Sequence, residues 1–249
     1  MWTHHINPEL FHIGPFSIRY YGLVYVIGFI ITYIILDHSR KKGRLNITRD
    51  DVVLFLLWIM IAVIVGSKLG VVLFWNPSYY ITNPIRIVSF WKGGMAFHGG
   101  LIGVVIAVYW FSKKKQLSFW KVADILAIPA VFILALGRIA NFINGEIWGS
   151  VTDVPWCIYF PEVGGCRHPY QIYAFLKRAF VGFILLFLNR KERQEGFITI
   201  SFIFLFGIGR LFLDILREDP VYLSLKTGQW LSLMMVIVAG YTLLKYYRA

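Results

Sequence analysis

Runs of roughly twenty mostly apolar residues recur seven times along this chain, at 18–36, 52–74, 95–111, 122–142, 170–188, 197–216 and 229–246. A helix rises about 1.5 Å per residue, so roughly 20 residues cross the hydrocarbon of a bilayer. Backbone in lipid must bond internally, which a run of this length achieves as a helix. Charged residues make up 15% of the 249 and hydrophobic ones 58%, whereas soluble domains carry roughly 25% charged residues. The expected fold is therefore an all-α membrane protein, a bundle of seven transmembrane helices forming a single integral membrane domain over 1–249. No internal repeat of the kind transporters show is visible. The first basic residue is Arg19, so the start lacks the basic region of a signal peptide.

Basic residues orient the helices. Arg40, Lys41, Lys42, Arg44 and Arg49 follow the first run, Lys113, Lys114, Lys115 and Lys121 the third, and Arg190, Lys191 and Arg193 the fifth, with Lys245 and Arg248 in the tail. The alternate connections hold only Arg86, Lys92, Arg167, Arg217 and Lys226. The positive-inside rule then puts the N-terminus outside and the C-terminus in the cytoplasm. The net charge of +12 is thus an orientation signal with some attraction for anionic membrane lipids, and no nucleic acid is expected as a partner. Outside lie an irregular arm over 1–17, an aromatic and Pro-rich interfacial arm over 75–92, and a loop over 145–167. That loop holds Cys157 and Cys166, either a disulfide or two free thiols on this reading.

Counting inward from each end gives depth. Tyr21, Lys68, His98, Arg138, Asn141, Asn144, His168, Gln171, Arg210, Asp214 and Gln229 all fall toward the outer side, and only Lys177 and Arg178 lie nearer mid-depth. Each has a plainer reading alone: His98 as a packing histidine, Arg210 with Asp214 as a structural ion pair, Tyr21 as an interfacial aromatic, Arg138 as a snorkelling end-of-helix cation. Gly66-x-x-x-Gly70 and Gly99-x-x-x-Gly103 read as helix-packing faces. Together, two arginines at outer-leaflet depth suit the phosphate of a lipid head group, which their planar fork matches. His4, His5 and His12 sit on the arm without a second cluster, so no metal is expected, and no cofactor motif occurs.

The motif Gly-Arg-x-x-Asn-Phe-x-Asn-Gly-Glu-x-x-Gly is complete over 137–149. It stands with His12–Pro15, Tyr20–Leu23, 66–76, 92–103, 167–173 and Gly209-Arg210 through Arg217. In these stretches the chain resembles the bacterial phosphatidylglycerol–prolipoprotein diacylglyceryl transferases along nearly its whole length. The resemblance implies seven helices, residence in the bacterial cytoplasmic (inner) membrane and an active site toward the outer leaflet. It implies transfer of the diacylglyceryl group of phosphatidylglycerol to the lipobox cysteine thiol in the signal peptide of a preprolipoprotein, giving a thioether and glycerol phosphate. It implies catalytic roles for His98, Arg138 and Arg210, with Tyr21, Asn141, Glu146 and Gly149 joining Arg138 in substrate binding. Three departures stand out: Lys68 where Arg is usual, Ala174 where Glu is usual, and the added Lys177 and Arg178. The rival expectations are a transporter for an anionic metabolite, which intramembrane arginine and a broken fourth helix would fit, and a non-catalytic lipid-binding protein.

Overall fold

The computed structural model describes residues 2–14, 16–89 and 94–247. Pro15, Phe90, Trp91, Lys92, Gly93 and Arg248, which entered the expectations above, lie outside that set. The helices are α1 (Tyr20–Lys41), α2 (Arg49–Gly70), α3 (Pro77–Thr82), α4 (Phe97–Lys114), α5 (Phe119–Ile143), α6 (Tyr170–Leu188), α7 (Phe197–Leu213) and α8 (Thr227–Tyr246). Six are long and apolar enough to cross a membrane: α1, α2 with its π-helical continuation to Trp75, α5, α6, α7 with its last turn to Leu216, and α8. The protein is thus a mostly helical, multi-pass membrane protein. Helix α4 stands where the third crossing is expected, but it has 18 residues, with His98 in its first turn and Lys113 and Lys114 in its last. Despite Pro129, α5 runs unbroken for 25 residues, so the broken fourth helix that would fit the transporter reading is absent.

The chain forms two compact units, Met1–Ile31 with Leu126–Ala249, and Thr32–Ile125. In the first, α5, α6 and α7 bury Ala127, Ile128, Val131, Val181, Leu185 and Ile198 together, and Phe132 packs against this core. Gly182 makes room for the Phe132 ring, since a Cβ there would stand 2.6 Å from it. The arm is more ordered than expected. Strands β2 (Glu9–Ile13) and β3 (Phe16–Arg19) form an antiparallel hairpin, turned at Gly14 with φ +57°, where glycine avoids the strain a side chain would meet. Strand β1 (Trp2–Thr3) runs parallel to β4 (Ile158–Tyr159), which pairs with β5 (Cys166–Arg167). Cys157 and Cys166 are disulfide-bonded across this small sheet. His4 is buried, stacks on Phe160 at 5.2 Å and lies 2.7 Å from the main-chain oxygen of Phe142. An irregular arm is therefore corrected to a docked one: the backbone groups of 2–3, 9–13 and 16–19 lie in paired strands, and His4 finds a carbonyl. A last hairpin, β6 (Val221–Tyr222) with β7 (Leu225–Lys226), turns through Leu223 and Ser224, both at positive φ.

In the second unit α2 and α4 approach closely along the two glycine pairs read as packing faces. A Cβ on Gly66 would come within 2.5 Å of the Gly99 carbonyl oxygen, and one on Gly70 within 3.0 Å of the Gly99 Cα. Small residues let backbones meet in this way where lipid offers no hydrophobic drive for association. Below the seam Phe55 stacks on Phe111 at 3.9 Å, and Lys115 pairs with Asp51 at 2.6 Å. Buried Lys68 donates to Tyr80 Oη at 3.5 Å and sits 5.1 Å from that ring. Gly99→Leu should separate the helices and cost about 1–3 kcal/mol, the range for overpacking, read as a lower unfolding midpoint of the detergent-solubilised protein. An unchanged midpoint would show that the seam does not hold the unit together.

A candidate cationic lipid-binding site

The end of α5 and the loop after it supply the first half of the site. Arg138 Nη1 donates to Asn141 Oδ1 at 3.2 Å. Asn141 Nδ2 in turn donates to Tyr21 Oη at 2.5 Å and to Glu146 Oε1 at 2.9 Å. Asn144 Nδ2 reaches the same carboxylate oxygen at 3.3 Å. The spacing explains this: one helical turn separates Arg138 from Asn141. The turn at Gly145, with φ +67°, then folds Glu146 back, so that its N–H donates to the Asn141 carbonyl at 3.0 Å. A half-buried guanidinium is thereby oriented by an amide rather than neutralised by a carboxylate.

The second half is built on α7. Asp214 is fully buried; its Oδ2 accepts from Arg210 Nε at 3.0 Å and its Oδ1 from Tyr170 Oη at 2.5 Å. Lys226 Nζ donates to the main-chain oxygens of Asp214 at 2.8 Å, Ile215 at 3.0 Å and Arg217, and so closes the helix end. Gly228 admits the pair, since a Cβ there would lie 2.5 Å from Asp214 Oδ2 and 2.7 Å from Arg210 Nη2. Tyr21, Arg138, Asn141 and Glu146 are therefore bonded together, and Arg210 stands with Asp214 in the same unit.

Gly149 joins the two halves through backbone. Its N–H donates to the His168 carbonyl at 3.1 Å, and its own carbonyl accepts from Arg167 Nη1 at 3.1 Å. A Cβ on Gly149 would meet His168 O at 2.7 Å and Leu216 O at 2.9 Å, so the closeness of chains requires glycine here. Arg167 also pairs with Glu218 at 2.8 Å. His98 belongs to the second unit, where it is exposed and lines a hollow of about 320 Å³ with Gly70, Phe74, Trp75, Ala96, Gly99 and Ile102.

Sequence reasoning missed Tyr170, Arg167, Lys226 and Gly228. Arg167 and Tyr170 stand in the marked stretch 167–173, but their partners Gly149, Glu218 and Asp214 lie elsewhere in the chain, and Lys226 and Gly228 carry no local pattern. Lys177 and Arg178 are packed as well as charged. The Lys177 ammonium lies 4.3 Å from the Phe206 ring and the Arg178 guanidinium 5.4 Å from the same ring. Arg178 Nη1 donates to the Leu134 carbonyl at 3.2 Å, while its Nε has no acceptor among the described residues. Gly209 lies against the Lys177 stem, and Ala174, one turn before Arg178, is buried.

Fold and site together define a multi-pass helical membrane protein with two half-buried arginines, Arg138 held by an amide and Arg210 by a carboxylate. Comparison with known sequences narrows this class. The profile of the prolipoprotein diacylglyceryl transferases matches residues 8–245, and the chain belongs to that family. Proteins named phosphatidylglycerol–prolipoprotein diacylglyceryl transferase are similar over most of their length. The one from Geobacter sulfurreducens is 42% identical over 226 residues, covering 90% of this chain and 87% of that protein. The one from Aliivibrio salmonicida is 41% identical over 240 residues, with 94% and 85% covered. The one from Bordetella parapertussis is 40% identical over 244 residues, with 94% and 93% covered.

Two stability measurements test the packing of the site. Tyr170→Phe removes one of the two side-chain donors to buried Asp214 and should cost about 1–3 kcal/mol in chemical denaturation; an unchanged midpoint would mean that Asp214 is satisfied without it. Arg178→Met exchanges a buried cation for an apolar chain of similar length. It should leave stability unchanged or raised, as replacing buried charge often does, and a large loss would show that the Leu134 bond and ring contact outweigh desolvation.

Proposed function

We propose that this chain transfers the diacylglyceryl group of phosphatidylglycerol to the lipobox cysteine of preprolipoproteins, forming a thioether and releasing glycerol phosphate. The names of the relatives support the two substrates. The observation that carries the reading is the bonded chain Arg138–Asn141–Glu146, with Tyr21 on Asn141, in the same compact unit as the Arg210–Asp214 pair. Placement in the bacterial cytoplasmic membrane with the N-terminus outside, α4 as a seventh crossing and the site toward the outer leaflet completes the proposal. The Lys and Arg distribution supports that orientation, and so does the Cys157–Cys166 disulfide, which suits an oxidising compartment.

In this reaction a thiolate attacks an sp3 carbon of the lipid glycerol, the carbon–oxygen bond to phosphate breaks, and the phosphate leaves with the head-group glycerol. Such a step needs a deprotonated thiol and a stabilised leaving group. In our reading Arg138 holds the lipid phosphate, and Asn141, Tyr21 and Glu146 keep its guanidinium in one orientation. Arg210 offsets the charge that develops on the departing phosphate, with Asp214 and Tyr170 fixing its direction. Gly149 keeps the loop close to the lipid. His98 is proposed to take the thiol proton. No cofactor or metal has a role in this scheme.

The test is purified protein in vesicles with labelled phosphatidylglycerol and a lipobox cysteine peptide. Label on the cysteine is the expected outcome; solute movement across the vesicle wall would instead indicate a transporter, and lipid retention without product a binding protein. Arg138→Ala should lower transfer by at least about a hundredfold, the usual loss when an electrostatic stabiliser is removed, while the protein still accumulates in the membrane. Retained activity would remove Arg138 from the site.

A further inference from the structure

The hydrogen-bond chain that starts at Arg138 ends on oxygens that lack donors. Asn144 gives its Nδ2 to the Glu146 carboxylate at 3.3 Å, and Gln171 gives its Nε2 to the Glu146 main-chain oxygen at 2.7 Å. The remaining amide oxygens, Asn144 Oδ1 and Gln171 Oε1, are buried without a donor among the described residues, and Gln171 is fully buried. Their orientation follows from those bonds, because flipping either amide would turn its oxygen toward another acceptor. A buried acceptor left alone is costly and rare. Two of them, both tethered to the residue that reaches Arg138 through Asn141, point to a bound group that brings its own donors.

The donors are better supplied by hydroxyls than by an ammonium. Glu146 Oε1 already accepts from two amides, and the Arg138 guanidinium, one amide away through Asn141, repels a cation. A phospholipid whose phosphate lies on Arg138 extends its head group only a few atoms further, and a glycerol head group ends in two hydroxyls. We propose that Asn144 and Gln171 accept hydrogen bonds from the head-group hydroxyls of the substrate lipid and thereby set its preference for glycerol. This rests on the reading of Arg138 as the phosphate holder. The hydroxyls keep their protons throughout and leave with the phosphate, so both residues determine specificity and neither touches the reacting carbon.

Two phosphodiester lipids of equal charge test the proposal: phosphatidylglycerol, and phosphatidylethanol, which has no head-group hydroxyl. The wild-type protein should transfer from phosphatidylglycerol in strong preference, and Gln171→Leu and Asn144→Leu, made separately, should each reduce that preference about tenfold, as expected when a site loses a polar partner for its substrate. A merely structural role would depress transfer from both lipids equally and leave the ratio intact, which would overturn the proposal. Binding to the unaltered, detergent-solubilised protein provides an arm free of any folding defect. Calorimetry should find glycerol phosphate bound about tenfold or more tightly than ethyl phosphate, and equal affinities would also overturn it. Since calorimetry needs no turnover, absence of transfer from any lipid together with this binding preference would sink the transferase reading and leave the hydroxyl contacts standing.

Discussion

Holding a guanidinium in a medium with no water is the constraint around which this molecule is arranged. Arginine does not shed its proton to escape the cost, so each buried one must be given oxygens or a ring face. The chain answers differently at each position. Arg210 receives a carboxylate, Arg138 an amide, and Arg178 a carbonyl and the face of Phe206. Only the first is a neutral pair. The other two keep their full charge, and an anionic phosphate is the natural counter-ion for a cation that an amide orients without neutralising.

Glu146 shows how a short motif can organise such a site. Its carboxylate gathers Asn141 and Asn144, and its backbone oxygen takes Gln171 from α6. Amides serve here because each can donate at one end and accept at the other, so direction propagates along the chain of bonds. A carboxylate in place of Asn141 would tie up Arg138 and leave less positive field for a ligand.

Much of this was legible in the sequence, and the remainder was not for identifiable reasons. Apolar run length marks the six helices long enough to cross a membrane, while α4 is shorter and closes on Lys113 and Lys114. Arg138 and Asn141 lie one turn apart on α5, so helical periodicity brings them together, while Asn144 and Glu146 lie past its end and reach them through the turn at Gly145. Asp214 stood one turn from Arg210 and could be named as its partner. Tyr170, the other group on that carboxylate, lies 44 positions away, and as an aromatic at a helix start it looks like any interfacial tyrosine. The strands of the arm were missed because two-residue pairings such as Trp2–Thr3 with Ile158–Tyr159 leave no alternation to read. What the sequence could not express was the use of glycine as space: Gly149 and Gly228 matter for what lies opposite them, and that is set by other parts of the chain.

The parallel pairing of β1 with β4 ties the beginning of the chain to a segment more than 150 positions later. Closing so long a loop is entropically unfavourable and slow compared with forming neighbouring helices. The opening residues must therefore wait, already on one side of the bilayer, until the later loop arrives on that same side. An error in the threading of any intervening helix would leave this small sheet unmade, so its assembly acts as a check on topology as well as a contribution to the fold.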